Sequence, residues 1–586
     1  MTQQQSNRKT TVYEWIIIIL SVLGLMVCFA VLFPQVRRLI MDLAEQMIHN
    51  KILSYKEWVR TLLSYAMGGI CMILFFDYCT LTGTGKTLVN QVKQEIRDCL
   101  SAIDFRSLIK PGLIISGVYL LGMLAIILSN VSYRDDIMWS MFGSRNWHDW
   151  SRYVTILLSY FIQPEISMTD ISPIPQLLAV PILSCCSILL VYLMCDRKIT
   201  LIRLLASIPL GLSPYILECL SYKFMAPYFA FSILTCIIPF LFIAYKRAFL
   251  FCSIISLLIM CMTYQAASGI YMLIVIILCF QDWNGRKKTH KEILSFLGIA
   301  AFAYCFALLF FRFCLMRYII EDGIVDYASN TMFPISQLLS GLLININNYT
   351  TTIYNDLSLL WKIGIALALL FFIAKAVRFS AQKKILSFLV AILVIGVSFI
   401  LAYGPYILLA KPLFSPRALF GFGIFLAIIF IWVVSDYKII ATITVIAVNW
   451  CLFTFAFSYG NALADQARYA EFRIGLLLHD LSALYPDANK DEGLLLLQLD
   501  NSIDFTPSIK NIARHNPIIE KLVQKRLGDD YFDSRYYRFH FNFDGELNLP
   551  AGSSIDFITL NLPVVLDSYY HTIRSDGKHI LINLKH

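Results

Sequence analysis

About thirteen apolar stretches, many of them about 17–25 residues long, run between Trp15 and Phe457 and limit what this chain can become. Helices of that length cross a bilayer, whereas the strands of a membrane barrel are short and alternate polar with apolar residues. Of the 586 residues, 58% are hydrophobic and 15% charged. Soluble domains carry about 25% charge, and no soluble core takes up so much apolar surface. The chain therefore reads as an α-helical polytopic membrane protein. Its net charge of +9 is spread over short loops, which sets topology and does not mark a nucleic-acid surface. The lipid bilayer is the expected partner, and nucleic acid is not. The 15 cysteines lie nearly all inside apolar runs, Cys185, Cys186, Cys236 and Cys261 among them, and act as small hydrophobes. No CxxC pair marks a metal or redox site.

Arg8 and Lys9 precede the first run, Trp15–Phe33, which continues without a small-residue cleavage site. An uncleaved span with a cytoplasmic N-terminus is expected. An amphipathic surface segment, Arg37–Lys56, precedes a second span at Thr61–Tyr78. Later spans fall at Leu113–Ser129, Gln176–Cys195, Ile199–Leu212, Met225–Ala244, Ala248–Thr263, Gly269–Phe280, Ile293–Phe311, Leu360–Val377, Ile385–Ala402, Leu419–Val434 and Ile439–Phe457. Trp139–Phe161 reads as an interfacial helix. Arg312–Asp356 reads as a long polar loop. Strict alternation then puts the basic clusters at 197–198, 246–247, 286–288 and 383–384 in the cytoplasm. Asp135, Asp136, Glu218, Lys223, Arg417 and the tail fall on the opposite face. Three regions follow: residues 1–112 with two spans and a cytoplasmic loop, the membrane core 113–458, and a soluble domain 459–586. In that domain Phe472, Leu476, Leu477 and Leu481 recur at helical spacing. Tyr537–Phe543 alternates before a turn at Asp544-Gly545, and Ser575-Asp576-Gly577 makes another turn. A small α+β domain is expected.

The chemistry concentrates at Arg134-Asp135-Asp136, directly after the span Leu113–Ser129. Ionisable groups at a membrane surface are costly to desolvate and mark sites. The plainer reading is a solvated pair anchoring Arg134 and Arg145. The functional reading is that Asp135 or Asp136 takes a proton from a sugar hydroxyl, a poor nucleophile without a base. Of the outer cations Lys223, Arg312, Arg317, Lys411 and Arg417, the candidates for a lipid-linked phosphate are Lys223 and Arg417, joined by Arg134. The planar guanidinium fits phosphate oxygens, and such a clamp stabilises a departing phosphate. Glu218, Tyr222 and Gln265 are candidates for hydrogen bonds to a sugar or acceptor; each could equally cap a helix. Trp139, Trp147 and Trp150 read first as an interfacial belt. Gly83-Thr84-Gly85-Lys86-Thr87 is rejected as a phosphate loop, because a membrane span precedes it and Thr80 stands where a glycine is needed. No His, Cys and Asp set has zinc spacing, so neither metal nor cofactor is expected.

Several ordered pieces carry a resemblance. They are Arg134-Asp135-Asp136 with Gly143-Ser144-Arg145 and Trp147, then Asp170-Ile171-Ser172-Pro173 before Gln176, then Ser213-Pro214-Tyr215-Ile216-Leu217-Glu218 with Tyr222-Lys223-Phe224. Tyr264-Gln265-Ala266, Gly404, Pro416-Arg417, Asn461 and Gln466 follow. From Leu113 into the early tail the chain resembles the bacterial O-antigen glucosyltransferases of the serotype-converting Gtr type, which have a GT-C-like architecture. The resemblance implies a polyprenyl-phosphate sugar donor, with undecaprenyl-phosphate glucose expected, and a surface-polysaccharide acceptor on the periplasmic face. It implies the bacterial inner membrane, a periplasmic C-terminal domain, and work alongside a flippase and a donor-synthesising enzyme. It also maps the acid base of such enzymes onto Asp135 and Asp136. One departure is Met225, where the family often carries an acid. The runner-up function is a transporter or flippase for a lipid-linked sugar. That would call for charges inside spans and internal repetition; the spans are nearly free of charge and no repeat stands out.

Overall fold

The computed structural model describes residues 82–585 except 149, 317–330, 436–438, 487–495 and 529–555, together with residues 70, 74 and 77–80. The first expected span, the segment Arg37–Lys56, nearly all of Thr61–Tyr78 and the strand Tyr537–Phe543 lie outside the described residues. Helix α1 (Gly83–Ser101) is capped by the Thr82 hydroxyl, which accepts from Gly85 N–H. Residues 77–80 before it are helical, so the Gly83–Thr87 stretch opens a helix with no strand ahead of it.

Helix α2 (Phe105–Ser129) leads to α3 (Asp136–Phe142) and α4 (Tyr153–Ile162). Next come α5 (Ile174–Met194), α6 (Leu201–Leu205), α7 (Pro209–Leu212), α8 (Pro214–Ser221), α9 (Ala226–Ile237) and α10 (Lys246–Cys261). The core continues with α11 (Ser268–Asn284), α12 (His290–Phe310), α13 (Leu338–Asp356), α14 (Leu359–Arg378), α15 (Lys384–Leu401), α16 (Gly421–Val434) and α17 (Ile439–Leu484).

Seven described helices are long and apolar enough to cross a membrane, or eight if the bent pair Leu201–Leu212 and Pro214–Ser221 is one span. The expected thirteen are not reached among the described residues. Two expected spans fall almost wholly outside them, and α10, α16 and the stretch Ala226–Phe242 are short. Helix α16 is apolar on all sides and almost wholly buried, the mark of a central bundle helix.

The bent pair matters most for the site. Pro214 has no N–H to continue the preceding helix, and the axis turns by 59° there. A broken helix is tolerated at membrane depth where protein surrounds it, and every residue of α8 is buried. Glu218, which falls between the expected spans Ile199–Leu212 and Met225–Ala244, thus sits in a helix and not in a loop. The segment Trp139–Phe161 is also no single interfacial helix: it divides into α3, a 3₁₀ turn at Asn146–His148 and α4. The expected polar loop Arg312–Asp356 contains α13, whose Asn345, Tyr349, Ile353 and Asp356 form a buried stripe.

Two groups of loops collect at opposite ends of the bundle. At one end Lys287 pairs with Asp196 at 2.8 Å, Arg286 donates to Gln382, and Ala381 N–H donates to Asn284 C=O. This end carries most of the basic clusters grouped by sequence. Helix α5 runs from it to the other end, where Gln176 Nε2 donates to Leu220 C=O at 3.1 Å. At 1.5 Å per residue α5 spans about 30 Å, the thickness of a hydrocarbon core.

Helix α17 has 46 residues, roughly 70 Å at the standard rise. It passes without a break at Phe457 from the bundle into the tail. There Ala470, Ile474, Leu477 and Leu481 pack on a four-stranded sheet of order β1-β4-β3-β2, made of β1 (Leu496–Asp500), β2 (Val564–Asp567), β3 (His571–Ser575) and β4 (His579–Leu584). Phe472, expected in this face, is exposed, because the buried stripe runs one position on through Arg473 and Ile474. Strand β1 is parallel to β4, and β3 joins β4 through the expected turn at Asp576-Gly577. The short helices Pro507–His515 and Ile519–Leu522 lie between β1 and β2.

Candidate active site

The turn Ser132–Asp136 leaves α2 through Asn130, in the left-handed region at φ 48°, and Arg134 repeats that conformation at φ 46°. Asp136 then folds back beneath the turn, fully buried. Its Oδ2 accepts from Tyr133 N–H at 2.9 Å and from Lys223 N–H at 2.8 Å, and its Oδ1 accepts from Phe224 N–H at 3.3 Å. Burial lifts its pKa to about 7, against the pull of those three amides. Asp136 therefore fastens the turn after α2 to the Tyr222–Phe224 loop.

Asp135 has the opposite surroundings. It is half-buried, stands at the N-cap of α3 without capping it, and its carboxylate holds no hydrogen bond or ion pair among the described residues. It lies within electrostatic range of Arg152 and of Tyr222.

Glu218, fully buried in α8, organises the arginines. Its Oε1 is 3.6 Å from Arg134 Nε and 3.3 Å from the Tyr133 hydroxyl. Its Oε2 accepts from the Arg417 main-chain N–H and, at 3.5 Å, from Ser415 Oγ. The Arg417 guanidinium donates to the Tyr222 hydroxyl and lies over that ring. Burial holds the Tyr222 phenol well above its ordinary value, against the pull of Arg417, so it accepts as a neutral hydroxyl.

Arg152 joins this cluster without having been singled out by sequence. Its guanidinium lies 4.9 Å above the Tyr264 ring, and the Tyr264 hydroxyl donates to Arg417 C=O at 3.1 Å. Arg152 Nε is buried without a hydrogen-bond partner among the described residues. Gln265 fixes the segment before it, donating to Trp150 C=O at 3.1 Å, and Val154 N–H donates to Met262 C=O at 3.0 Å. The turn at Tyr264-Gln265 therefore places Arg152, a fact local sequence could not supply.

Lys223, a sequence candidate for phosphate, is 4% exposed, and its Nζ lies 3.1 Å from Asp170 Oδ2. Partial burial pushes the Asp170 carboxyl up, but hydrogen bonds from Ser172 and the Lys223 ammonium hold it net below its ordinary value. Trp147 is buried against Trp139 and Tyr228, not set in an interfacial belt. Arg145 is spent on Ser159, Gln163 C=O and Ile166 C=O. Arg317 lies outside the described residues. Among the described residues no group of three His, Cys, Asp or Glu side chains could hold a metal ion.

The structure thus gathers Arg134, Asp136, Glu218, Tyr222, Lys223 and Arg417 into one network, with Asp135 beside it and Gln265 at its edge. Residues 124–428, which enclose all eight, match the family model described as Glucosyl transferase GtrII. The chain belongs to this family. A GtrII member is a glucosyltransferase, which implies a sugar donor and an acceptor. No curated protein and no solved structure matches the chain.

Proposed function

We propose that this glucosyltransferase draws its sugar from a polyprenyl phosphate, undecaprenyl-phosphate glucose in the expected case, and passes it to an O-antigen or another surface polysaccharide. The reaction takes place on the periplasmic face of a bacterial inner membrane. Asp135 removes the proton from an acceptor hydroxyl. The oxygen attacks the anomeric carbon, the carbon–oxygen bond to phosphate breaks, and polyprenyl phosphate leaves with the electron pair. One such displacement inverts the anomeric configuration. Arg417 and Arg152 hold the phosphate, with Arg134 beside them, and their fixed charge is worth most where the leaving group becomes more negative. Glu218 and Tyr222 aim the arginines, Lys223 with Asp170 orders the loop, and Gln265 holds the Arg152 segment from the side.

The observation that carries this reading is a carboxylate without partners among the described residues, beside an arginine cluster, at one end of a bundle long enough to span lipid. Purified protein given either polyprenyl-phosphate glucose or a sugar nucleotide tests it. Transfer from the lipid donor alone is expected; transfer from the nucleotide alone refutes it. Movement of the lipid across a vesicle without cleavage of its phosphate–sugar bond favours a transporter instead.

A further inference from the structure

Residues 518–527 of the tail enter the network around Asp135. Ile518, Ile519, Leu522 and Val523 are buried in the same apolar cluster as Tyr133, Tyr215 and Tyr222. Polar contacts from this segment converge on one turn. Leu522 C=O accepts from the Tyr133 hydroxyl at 2.9 Å, Gln524 Oε1 accepts from Arg134 N–H at 3.2 Å, and Arg526 Nη1 donates to Ser132 C=O at 3.0 Å. The segment is itself anchored at both ends. Lys521 Nζ lies 2.5 Å from Asp356 Oδ1 at the end of α13, and Leu527 C=O accepts from Ile503 N–H at 3.0 Å.

The turn held in this way is one that an L residue resists. Arg134, at φ 46°, is in the left-handed region that favours glycine. From there its side chain reaches Glu218, and the following Asp135 precedes α3 with its carboxylate unpartnered among the described residues. Sparsely populated backbone conformations persist where the surroundings over-determine them. Here the determining acceptor comes from 390 residues further along the chain.

We propose that Gln524, with Leu522 and Arg526, is a positioning element for the transfer reaction: the C-terminal domain fixes Ser132–Arg134 in the conformation that presents Asp135 to the acceptor. This rests on the reading of Asp135 as the base. The domain then belongs to the catalytic unit and is not an independent appendage. Gln524 touches neither donor nor acceptor and acts through Arg134 N–H.

The test uses the full chain in detergent, with kcat and donor KM, thermal midpoint, and hydrogen exchange across residues 133–136. Gln524→Ala removes the acceptor. A kcat lower by about 10²-fold is expected, since an ångström of misplacement costs that much. Donor KM and midpoint stay unchanged, exchange at the turn quickens, and Gln524→Glu, which keeps an acceptor, restores kcat. Gln524→Met keeps the length without the acceptor and is expected to show the same loss of kcat should the alanine variant fail to fold. Wild-type kcat in these variants, or a loss that Gln524→Glu does not restore, overturns the proposal. Asp135→Asn run alongside separates the two ideas. If it stays active while Gln524→Ala is slow, the base assignment fails and the positioning role stands without it.

Discussion

Replacing Asp136 with asparagine separates the two neighbouring carboxylates by what each does. Asp136 receives three amides on two oxygens, at 2.8, 2.9 and 3.3 Å. A carboxamide has one accepting oxygen. Turned to keep Tyr133 and Lys223, it sets its NH2 against Phe224 N–H and leaves that buried amide unsatisfied. Such a group costs about 1–3 kcal/mol, a factor of about 5–150 in the folding equilibrium. A protonated carboxyl does not have this fault, because both of its oxygens still accept.

The pH dependence has a definite sign. Folding raises the Asp136 pKa from 3.8 to about 7. Between those values the folded state holds a proton that the unfolded chain has released, so this group's contribution falls as pH rises through that range. The assay is thermal unfolding of purified protein in detergent from pH 5 to 8, with transfer measured per folded molecule. Asp136→Asn is expected to lower the midpoint, to lose wild type's downward slope with pH, and to keep appreciable transfer at low temperature. A variant with the wild-type midpoint and no transfer would refute the structural role and make Asp136 the chemical group.

Arg417→Ala and Arg152→Ala are each expected to cut kcat/KM by about 10²–10³, the usual effect of removing one charge-stabilising donor; Arg152→Lys recovers little, since an ammonium stacks on Tyr264 less well than a planar guanidinium. Steady-state kinetics over a range of donor concentration check both. Asp170→Asn strands the Lys223 ammonium and should lower the midpoint at neutral pH. Because the Asp170 pKa is depressed in the fold, its contribution is present above about pH 4 and fades as pH falls below it. The gap between wild type and Asp170→Asn should therefore close in acid, and a gap that widens there would contradict the ion pair.

The membrane core was legible because hydropathy acts over whole helices. Gln176–Cys195 and Ile385–Ala402 reappear as α5 and α15 with ends shifted by one or two residues, and Leu113–Ser129 reappears as α2, which begins earlier, at Phe105. Where a local feature overrode hydropathy, legibility failed. Pro214 split one expected span and its loop into a broken helix pair. Asn345 and Asp356 made a helix look like a polar loop, although their spacing with Tyr349 and Ile353 is helical. The tail helix read from Leu477 and Leu481 is real, but nothing in the sequence said that it is one piece with the last span. At the site, the charged residues after α2 and before α16 could be picked out because charge is scarce in this chain. What they touch could not. Lys223 looked like a phosphate ligand until Asp170 was found beside it. Arg152 carried no signal of its own in the sequence, and only the Tyr264 turn brings it to Arg417. The contacts of Gln524 and Arg526 join positions that no local pattern links.

The central claim is that Asp135 deprotonates an acceptor attacking a lipid-linked sugar. It is tested most directly by a single-turnover assay of Asp135→Asn beside wild type, following release of polyprenyl phosphate and appearance of glucosylated acceptor. A rate lower by about 10²–10⁴ is expected, the usual contribution of a general base, with donor affinity and thermal midpoint unchanged. A wild-type rate in Asp135→Asn, or a loss matched by a collapse in midpoint, would contradict it.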